Sequence, residues 1–199
     1  DPESNTITYT LTGTGSEYFS VDENGNVTLK DTLDFETYTN YEITLVASDG
    51  ELTSSSVITF DISDVDEAPS LSSTLKSESF EESIAVGTAL ATISSVDPES
   101  QTITYSLSGT GSENFEIDSE GNITSKVTFD YETETSYTFN VTASDGTNST
   151  TSPLTITLSD VNESPDVTIS LQGSEFAENI TTGSTIATVA YTDPESDTL

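Results

Sequence analysis

The sequence predicts an all-β protein built of tandem β-sandwiches that stack end to end, and three observations support this prediction. A unit of 96 residues recurs along the 199-residue chain. Within the unit, Ile, Val, Leu, Phe and Tyr alternate with polar residues, which is the period of two typical of a half-buried strand. Ser and Thr dominate the polar positions, and they suit strands and turns better than helices.

The repeat is easiest to see in a tetrapeptide that returns at a constant spacing. Asp-Pro-Glu-Ser stands at residues 1–4, 97–100 and 193–196. Aligned without a gap, residues 1–66 and 97–162 are identical at about half of their positions. A repeat of this length is too long for a solenoid unit and matches one immunoglobulin-like sandwich of about 100 residues.

This phasing predicts three segments. Residues 1–66 form a partial repeat with the later strands, 67–162 a complete repeat, and 163–199 a partial repeat with the first strands. We expect seven strands in the complete repeat, arranged as a Greek-key sandwich whose apolar stripes form the core. Alternation and a Gly/Asn turn after residue 118 place these strands near residues 70–76, 88–96, 103–107, 115–117, 123–124, 137–143 and 154–158.

Neither partial repeat closes a sandwich by itself, because a repeat needs its own core. We therefore expect the chain to be a section of a longer covalent polymer. The alternative is that strands from 163–199 of one copy complete residues 1–66 of the next. Such a donor-strand contact is head-to-tail, so it would generate an open filament.

The composition excludes several functions. The chain has 36 acidic residues, only three lysines, no arginine, and a formal net charge of −33. It therefore lacks the cations that bind nucleic acid or an anionic membrane. Without Cys or His it offers no zinc site and no Ser-His-Asp or Cys-His arrangement. No apolar run approaches the roughly 20 residues of a membrane span, so we expect no direct membrane insertion in this segment.

The acidic residues that recur lie at strand ends and in the link between repeats. On a seven-stranded sandwich, positions near 82, 130–132 and 160–163 lie at one pole. Positions near 97–99 and 145 lie at the other. End-to-end stacking would make these carboxylates converge, whereas a solvated acidic surface is the alternative interpretation.

The order of these motifs resembles that of the cadherin repeat. Asp-Val-Asp-Glu-Ala-Pro at 64–69 is similar to the family linker Asp-x-Asn-Asp-Asn-x-Pro, shortened by one residue. Asp-Val-Asn-Glu-Ser-Pro at 160–165 keeps the Asn. Leu-Asp-Phe-Glu at 33–36 and Phe-Asp-Tyr-Glu at 129–132 resemble the family's Leu-Asp-Arg-Glu. The short linker is more similar to the bacterial branch, found in long cell-surface adhesins, than to animal cadherins.

Three further motifs follow the family's order. Asp-Pro-Glu at 97–99 stands where the family has Asp-x-Asp. Ala-Ser-Asp-Gly, at 47–50 and again at 143–146, resembles Ala-x-Asp-x-Gly. Glu82 and Glu178 fall at the glutamate of the family's Pro-Glu-Asn.

The resemblance implies Ca²⁺ between repeats, and the oxygen ligands agree with it. Ca²⁺ accepts six to eight oxygens in a forgiving geometry, and Mg²⁺, which demands a tight octahedron, ranks second. Around residue 65 eight carboxylates would converge, and each pair about 4 Å apart would cost about 4 kcal/mol at an effective dielectric of 20 without a cation. The predicted metal ligands are Asp1, Glu3, Asp34, Glu36, Asp49, Asp64, Asp66, Glu67, Glu82, Asp97, Glu99, Asp130, Glu132, Asp145, Asp160, Asn162, Glu163, Glu178, Asp193 and Glu195.

These observations predict a calcium-stiffened spacer in a bacterial surface adhesin or extracellular filament. Its partners would be neighbouring repeats, with a cell-surface or matrix partner elsewhere in the molecule. One alternative is that the repeats themselves mediate homophilic or carbohydrate adhesion, although most of the Tyr and Phe residues fall on core faces. A carboxylate-pair hydrolase is the other alternative. We reject it, because a catalytic site would not be copied at every junction.

Overall fold

A computed structural model describes residues 6–195 and contains two compact units. The first unit is Asp1–Ala68 with Asp97–Gln101, and the second is Pro69–Val96 with Thr102–Leu199. These units group residues by their contacts, so the three-segment division by repeat stays a prediction. Over residues 6–195 the secondary structure is β-strand with two 3-10 turns, Ser16–Tyr18 and Ser112–Asn114, and the all-β prediction is confirmed. No helix in that range is long and apolar enough to cross a membrane.

The first unit contains a three-stranded antiparallel sheet and a short hairpin. The sheet has the order β1-β4-β5, and β2 pairs with β3. Tyr41 and Ile43 on β4 are 0% and 1% exposed, because alternate residues of a strand face the core. The strands are β1 Thr8–Thr14, β2 Phe19–Val21, β3 Val27–Leu29, β4 Asn40–Ser48 and β5 Thr53–Asp61.

The second unit contains a complete sandwich of two four-stranded sheets. One sheet has the order β10-β11-β8-β6 and the other the order β7-β13-β12-β9. These strands are β6 Ser72–Leu75, β7 Phe80–Glu81, β8 Ala89–Ser94, β9 Thr104–Ser108, β10 Phe115–Ile117, β11 Asn122–Ser125, β12 Ser136–Ser144 and β13 Ser149–Ser159.

The core of this sandwich is formed by alternate residues of both sheets. Leu90 and Ile123 from one sheet and Ile156 from the other are fully buried. Phe115 and Phe139 stack with their ring centroids 4.6 Å apart. Full burial of each such side chain stabilises the fold by about 1.5–3 kcal/mol. The apolar stripes of the sequence are therefore core.

The sequence does not predict one strand of the sandwich, β7. β7 has only two residues, too few to show a period of two, and it pairs in parallel with the end of β13 through Phe80 and Leu158. This pairing explains why eight strands form where seven are predicted. It also brings the next residue, Glu82, to the end of β13, where its backbone N–H donates to the Ser159 carbonyl at 3.1 Å.

The last two strands form a separate antiparallel hairpin, β14 Asp166–Leu171 with β15 Ala187–Thr192. Val189 on β15 is 65% exposed, whereas Ile93, which stands 96 residues earlier, is 2% exposed in the core of the sandwich. The face that is core in the complete repeat is thus exposed in this hairpin.

Candidate metal centres

Four carboxylates of the first unit meet in one group, which we call the first cluster: Glu36, Asp64, Glu67 and Glu99. One carboxylate oxygen from each lies within 4.8 Å of the others. Glu36 belongs to the turn before β4, Asp64 and Glu67 follow β5, and Glu99 lies in Asp97–Gln101. Three separate segments of sequence therefore supply this cluster.

The turn that holds Glu36 is stabilised by Asp34. The Asp34 carboxylate accepts hydrogen bonds from the backbone N–H groups of Glu36, at 3.0 Å, and Thr37, at 3.1 Å. The Thr37 hydroxyl donates to the same carboxylate at 3.0 Å. These bonds, those from Thr37 first, lower the pKa of Asp34. Asp34 was predicted as a ligand. The structure uses it to shape the turn, and it is not among the four grouped residues.

Glu99 is the least exposed member of the first cluster. Both of its carboxylate oxygens are buried and have no hydrogen-bond partner among residues 6–195. Nearby, Asp97 is 5% exposed; one of its oxygens accepts the Gln101 N–H at 2.8 Å, and the other has no hydrogen-bond partner in the described range. The Gln101 amide also donates to Asp66. Sequence analysis does not identify Gln101, because it lies outside the recurring acidic motifs.

The proximity of these carboxylates changes their proton affinity. The pKa of Glu67 is raised to about 7, first by the close approach of the Glu99 carboxyl, then through desolvation and the neighbouring charges. Desolvation, followed by the charges of Glu99 and Asp64, raises the pKa of Glu36. Carboxylates that hold protons at such a pH are typical of like charges without a counter-ion.

The second unit repeats this arrangement in a group that we call the second cluster: Glu82, Glu132, Asp160 and Glu163. One carboxylate oxygen from each of these residues also lies within 4.8 Å of the others. Glu132, Asp160 and Glu163 stand 96 residues after Glu36, Asp64 and Glu67. The same repeat positions therefore converge twice, which isolated surface acids would not do.

Glu82 connects the two segments that supply the rest of the second cluster. It is 5% exposed, and its carboxylate accepts the backbone N–H groups of Tyr131 and, at 2.9 Å, of Val161. Charge-assisted bonds of this kind are about twice as strong as neutral ones. Glu82 was predicted only as a ligand, and its role as a connector between backbone segments was missed.

Glu195 stands 96 residues after Glu99 and contacts the second cluster, although it is not one of the four grouped residues. Its carboxylate accepts the Glu163 backbone N–H at 2.9 Å. That bond is the first cause that lowers the pKa of Glu195 to about 2, while the close approach of the Glu195 carboxyl raises the pKa of Glu163 to about 7. Desolvation and the charges of Glu82 and Asp160 raise the pKa of Glu132. The cluster borders a cleft of about 360 Å³.

The structure places the other predicted ligands as follows. Asp130 accepts the Thr133 N–H at 2.8 Å, just as Asp34 accepts the Thr37 N–H in the first unit. Asp49 accepts two backbone N–H groups, from Glu51 and Leu52.

Asp145 also accepts two backbone N–H groups, and its second oxygen is buried with no hydrogen-bond partner in the described range. It lies in the second unit, and its predicted place around residue 65 stays a prediction. Asn162 donates to the Glu163 carbonyl, Glu178 is exposed, and Asp193 is partly buried. Asp1 and Glu3 lie outside the described residues.

The donor set fits one class of cation. The grouped atoms of both clusters are carboxylate oxygens, which hard cations prefer, and the chain has no His or Cys for softer metals. Buried carboxylate oxygens without donors, as in Glu99 and Glu163, are unfavourable unless a positive charge neutralises them. Several oxygens in an irregular arrangement suit Ca²⁺ better than Mg²⁺.

Comparison with known proteins adds independent information. The family model for the cadherin domain matches residues 1–69 and 76–159. Human protocadherin Fat 1 is 29% identical over 201 residues, which cover 96% of this chain and 4% of that protein. Cadherin-related family member 1 of Gallus gallus is 33% identical over 213 residues, covering 97% of this chain and 25% of that protein.

Solved structures agree with the sequence matches. A structure of protocadherin gamma B2 extracellular cadherin domains 1–5 superimposes with a TM-score of 0.55 at 28% identity, covering 95% of this chain and 39% of that one. The chain therefore spans a minor part of the curated relatives and of this solved ectodomain.

Proposed function

The chain belongs to the cadherin domain family, and from this premise we propose that its two clusters bind Ca²⁺, which stiffens the link between consecutive repeats of an extracellular spacer. Cadherin repeats are extracellular adhesion modules and not enzymes, and this chain shares that character. The observation that supports the calcium proposal best is the convergence of the same repeat positions in both units.

The origin of the ligands in the sequence explains how binding would stiffen the link. In the first cluster, Glu36 precedes the linker, Asp64 and Glu67 lie in it, and Glu99 belongs to the repeat that follows. Bound Ca²⁺ would supply the positive charge that neutralises these carboxylates. Without it, the repulsion between like charges favours separation of the three segments.

Hydrogen bonds within the protein hold the segments that carry the proposed ligands. Asp34 fixes the turn that presents Glu36, and Glu82 connects the backbone segments that present Glu132 and Asp160. Ligands held by hydrogen bonds lose less conformational entropy when they bind. We propose that the remaining predicted acids, Asp145 and Asp97 in particular, add ligands through their unpartnered buried oxygens.

We also propose that the chain comes from a bacterial surface adhesin or filament. The support for this part is the linker, which is one residue shorter than the family form at 64–69 and 160–165 and resembles the bacterial branch. The relatives compared above are animal proteins. Sequencing of the genomic locus checks the proposal: an uninterrupted bacterial reading frame with more 96-residue repeats supports it, and an animal locus contradicts it.

Calcium titration of the 199-residue chain, followed by calorimetry, tests the binding proposal. We expect saturable binding and a higher melting temperature in Ca²⁺, because a ligand that binds only the native state stabilises it. Glu36→Gln with Glu132→Gln should weaken binding in both clusters, whereas Glu23→Gln, an exposed acid outside them, is the matched control. Equal binding by both variants would contradict the assignment.

A further inference from the structure

The space beside one tyrosine of each repeat, Tyr41 in the first and Tyr137 in the second, is filled differently in the two repeats. In the first unit, the rings of Tyr18 and Tyr38 pack on Tyr41, with centroid distances of 6.0 and 5.5 Å. Tyr41 is 0% exposed as a result. The first repeat therefore closes this place with its own aromatic side chains.

In the second unit this place is open. The residues 96 positions later are Asn114, Glu134 and Tyr137, so two of the three rings are absent. A cleft of about 400 Å³ lies there, lined by Tyr137, which is only partly buried, and by polar side chains that include Glu113, Asn114 and Glu134. The volume is sufficient for one ring-sized ligand.

The backbone around the ring is alike in both repeats. Gly15 and Gly111 both have positive φ, 74° and 86°. A Cβ on Gly15 would lie 2.5 Å from the Tyr41 ring, and one on Gly111 would lie 3.1 Å from the Tyr137 ring. In both repeats the glycine lets the chain pass close to the tyrosine. The opening of the second cleft follows from the side chains at 114 and 134 and not from a different wall.

The lining indicates the chemistry of an occupant. The side chains of Glu113, Asn114 and Glu134 make no hydrogen bond with any residue in the range 6–195, and two of them are carboxylates that accept only. None of the residues that line the cleft is basic, and two are carboxylates, so the lining disfavours an anionic ligand. An occupant needs several hydroxyl donors at its rim and an apolar face for the Tyr137 ring.

We propose that this cleft binds the ring of a neutral saccharide. A pyranose offers C–H groups on its face and hydroxyl donors around its edge, which match an aromatic residue flanked by carboxylates and an amide. A tyrosyl side chain of a partner protein would fit the space but offers a single donor to two carboxylates. The Tyr137 hydroxyl is a further donor, since a tyrosine is protonated at neutral pH, and desolvation and the charge of Glu134 raise its pKa above the ordinary value.

The chain supplies its own control variants. Asn114→Tyr with Glu134→Tyr introduces the two tyrosines that the first repeat has at these positions, Tyr18 and Tyr38. This variant should close the cleft and keep the fold. Tyr18→Asn with Tyr38→Glu should open the equivalent place in the first unit. Glu113→Gln and Glu134→Gln change only the charge, so they remain informative if a ring substitution disturbs folding.

The experiment is a ¹H–¹⁵N NMR titration of the whole chain in saturating Ca²⁺ with methyl glycosides of glucose, galactose, mannose and N-acetylglucosamine. We expect saturable shifts confined to Gly111, Thr133 and their neighbours for at least one glycoside. They should be lost in the Asn114→Tyr, Glu134→Tyr variant and weakened about tenfold by Glu134→Gln. The proposal is overturned if none of the glycosides causes these shifts, or if only N-acetyltyrosinamide, added as the protein-like probe, does.

Discussion

The carboxylate of Glu82 accepts a hydrogen bond from the backbone N–H of Val161 at 2.9 Å, although 79 residues separate them. The other oxygen of the same carboxylate accepts the N–H of Tyr131. Residues 130–132 and 160–163 contain the remaining members of the second cluster, so one buried side chain fixes both segments that present them. The cluster is thus positioned by the fold before any cation binds.

This double contact predicts the effect of Glu82→Ala in calcium-free protein. Two backbone N–H groups lose their acceptor, and each buried unsatisfied donor costs about 1–3 kcal/mol, so we expect the second unit to lose about 2–6 kcal/mol of stability. Differential scanning calorimetry in chelator measures this loss. Glu78→Ala, at an exposed position four residues earlier, is the control. An equal effect of the two substitutions would show that the contacts of Glu82 contribute little.

Glu67→Gln should have opposite effects with and without calcium. In chelator it removes a charge that its neighbours Glu99, Glu36 and Asp64 repel, so the melting temperature of the first unit should rise. In calcium it removes a charged ligand, so we expect about tenfold weaker binding at this cluster. Calorimetric melts and calcium titration measure both effects. A loss of stability in chelator would contradict the repulsion inferred here, and Glu23→Gln should change neither quantity.

The raised pKa values predict how the stability of the calcium-free protein depends on pH. Glu67 and Glu163 have pKa values of about 7 in the native state, above the ordinary value of 4.5. Between these values the native state binds more protons than the unfolded state, so the free energy of unfolding falls as pH rises from about 4.5 to about 7. The lowered pKa of Glu195 acts at lower pH, where its contribution is lost as pH falls from about 4.5 towards 2.

Calcium-free protein melted at several pH values across that window checks this prediction. The combined Glu67→Gln, Glu163→Gln variant should show a flatter profile, because neither amide titrates. Saturating calcium should also remove the decline, since a bound cation favours the ionised carboxylates. A wild-type melting temperature that rises across the window would contradict the assigned pKa shifts.

The sequence predicts most of the fold because each signal is local or periodic. The stripes around Phe139 and Ile156 become buried strands, and the repeat of 96 residues correctly indicates that Glu36 and Glu132 occupy equivalent sites. The contacts that the sequence does not predict depend on tertiary structure. The role of Glu82 needs β7, which is too short to give a pattern. The cleft beside Tyr137 requires a comparison of how neighbours pack.

That cleft also bears on one step of the sequence argument. Aromatic residues on core faces disfavour a sugar site, yet Tyr137 on such a face lines the cleft for which we propose a saccharide. The replacement of Tyr18 by Asn114 and of Tyr38 by Glu134 between aligned repeats was the available signal. Because aligned repeats share a backbone, a change from ring to small polar residue leaves space where its neighbour has none.

The linker carboxylate Asp64 provides the last prediction, which separates calcium binding from folding. Asp64 is exposed and follows β5, so its substitution removes no core contact. Asp64→Ala should therefore not lower the melting temperature in chelator, and the loss of a charge that Glu36 and Glu67 repel should raise it slightly, while the substitution weakens the link that calcium is proposed to stiffen. Small-angle X-ray scattering measures the result: the maximum dimension of the wild-type chain should be longer in calcium than in chelator, and that of Asp64→Ala should change little. Asp61→Ala, three residues earlier on the exposed end of β5, should respond to calcium as the wild type does. If Asp64→Ala instead lowers the melting temperature in chelator, Asp64 supports a unit and not the link, and a wild-type curve that calcium leaves unchanged would contradict the stiffening itself.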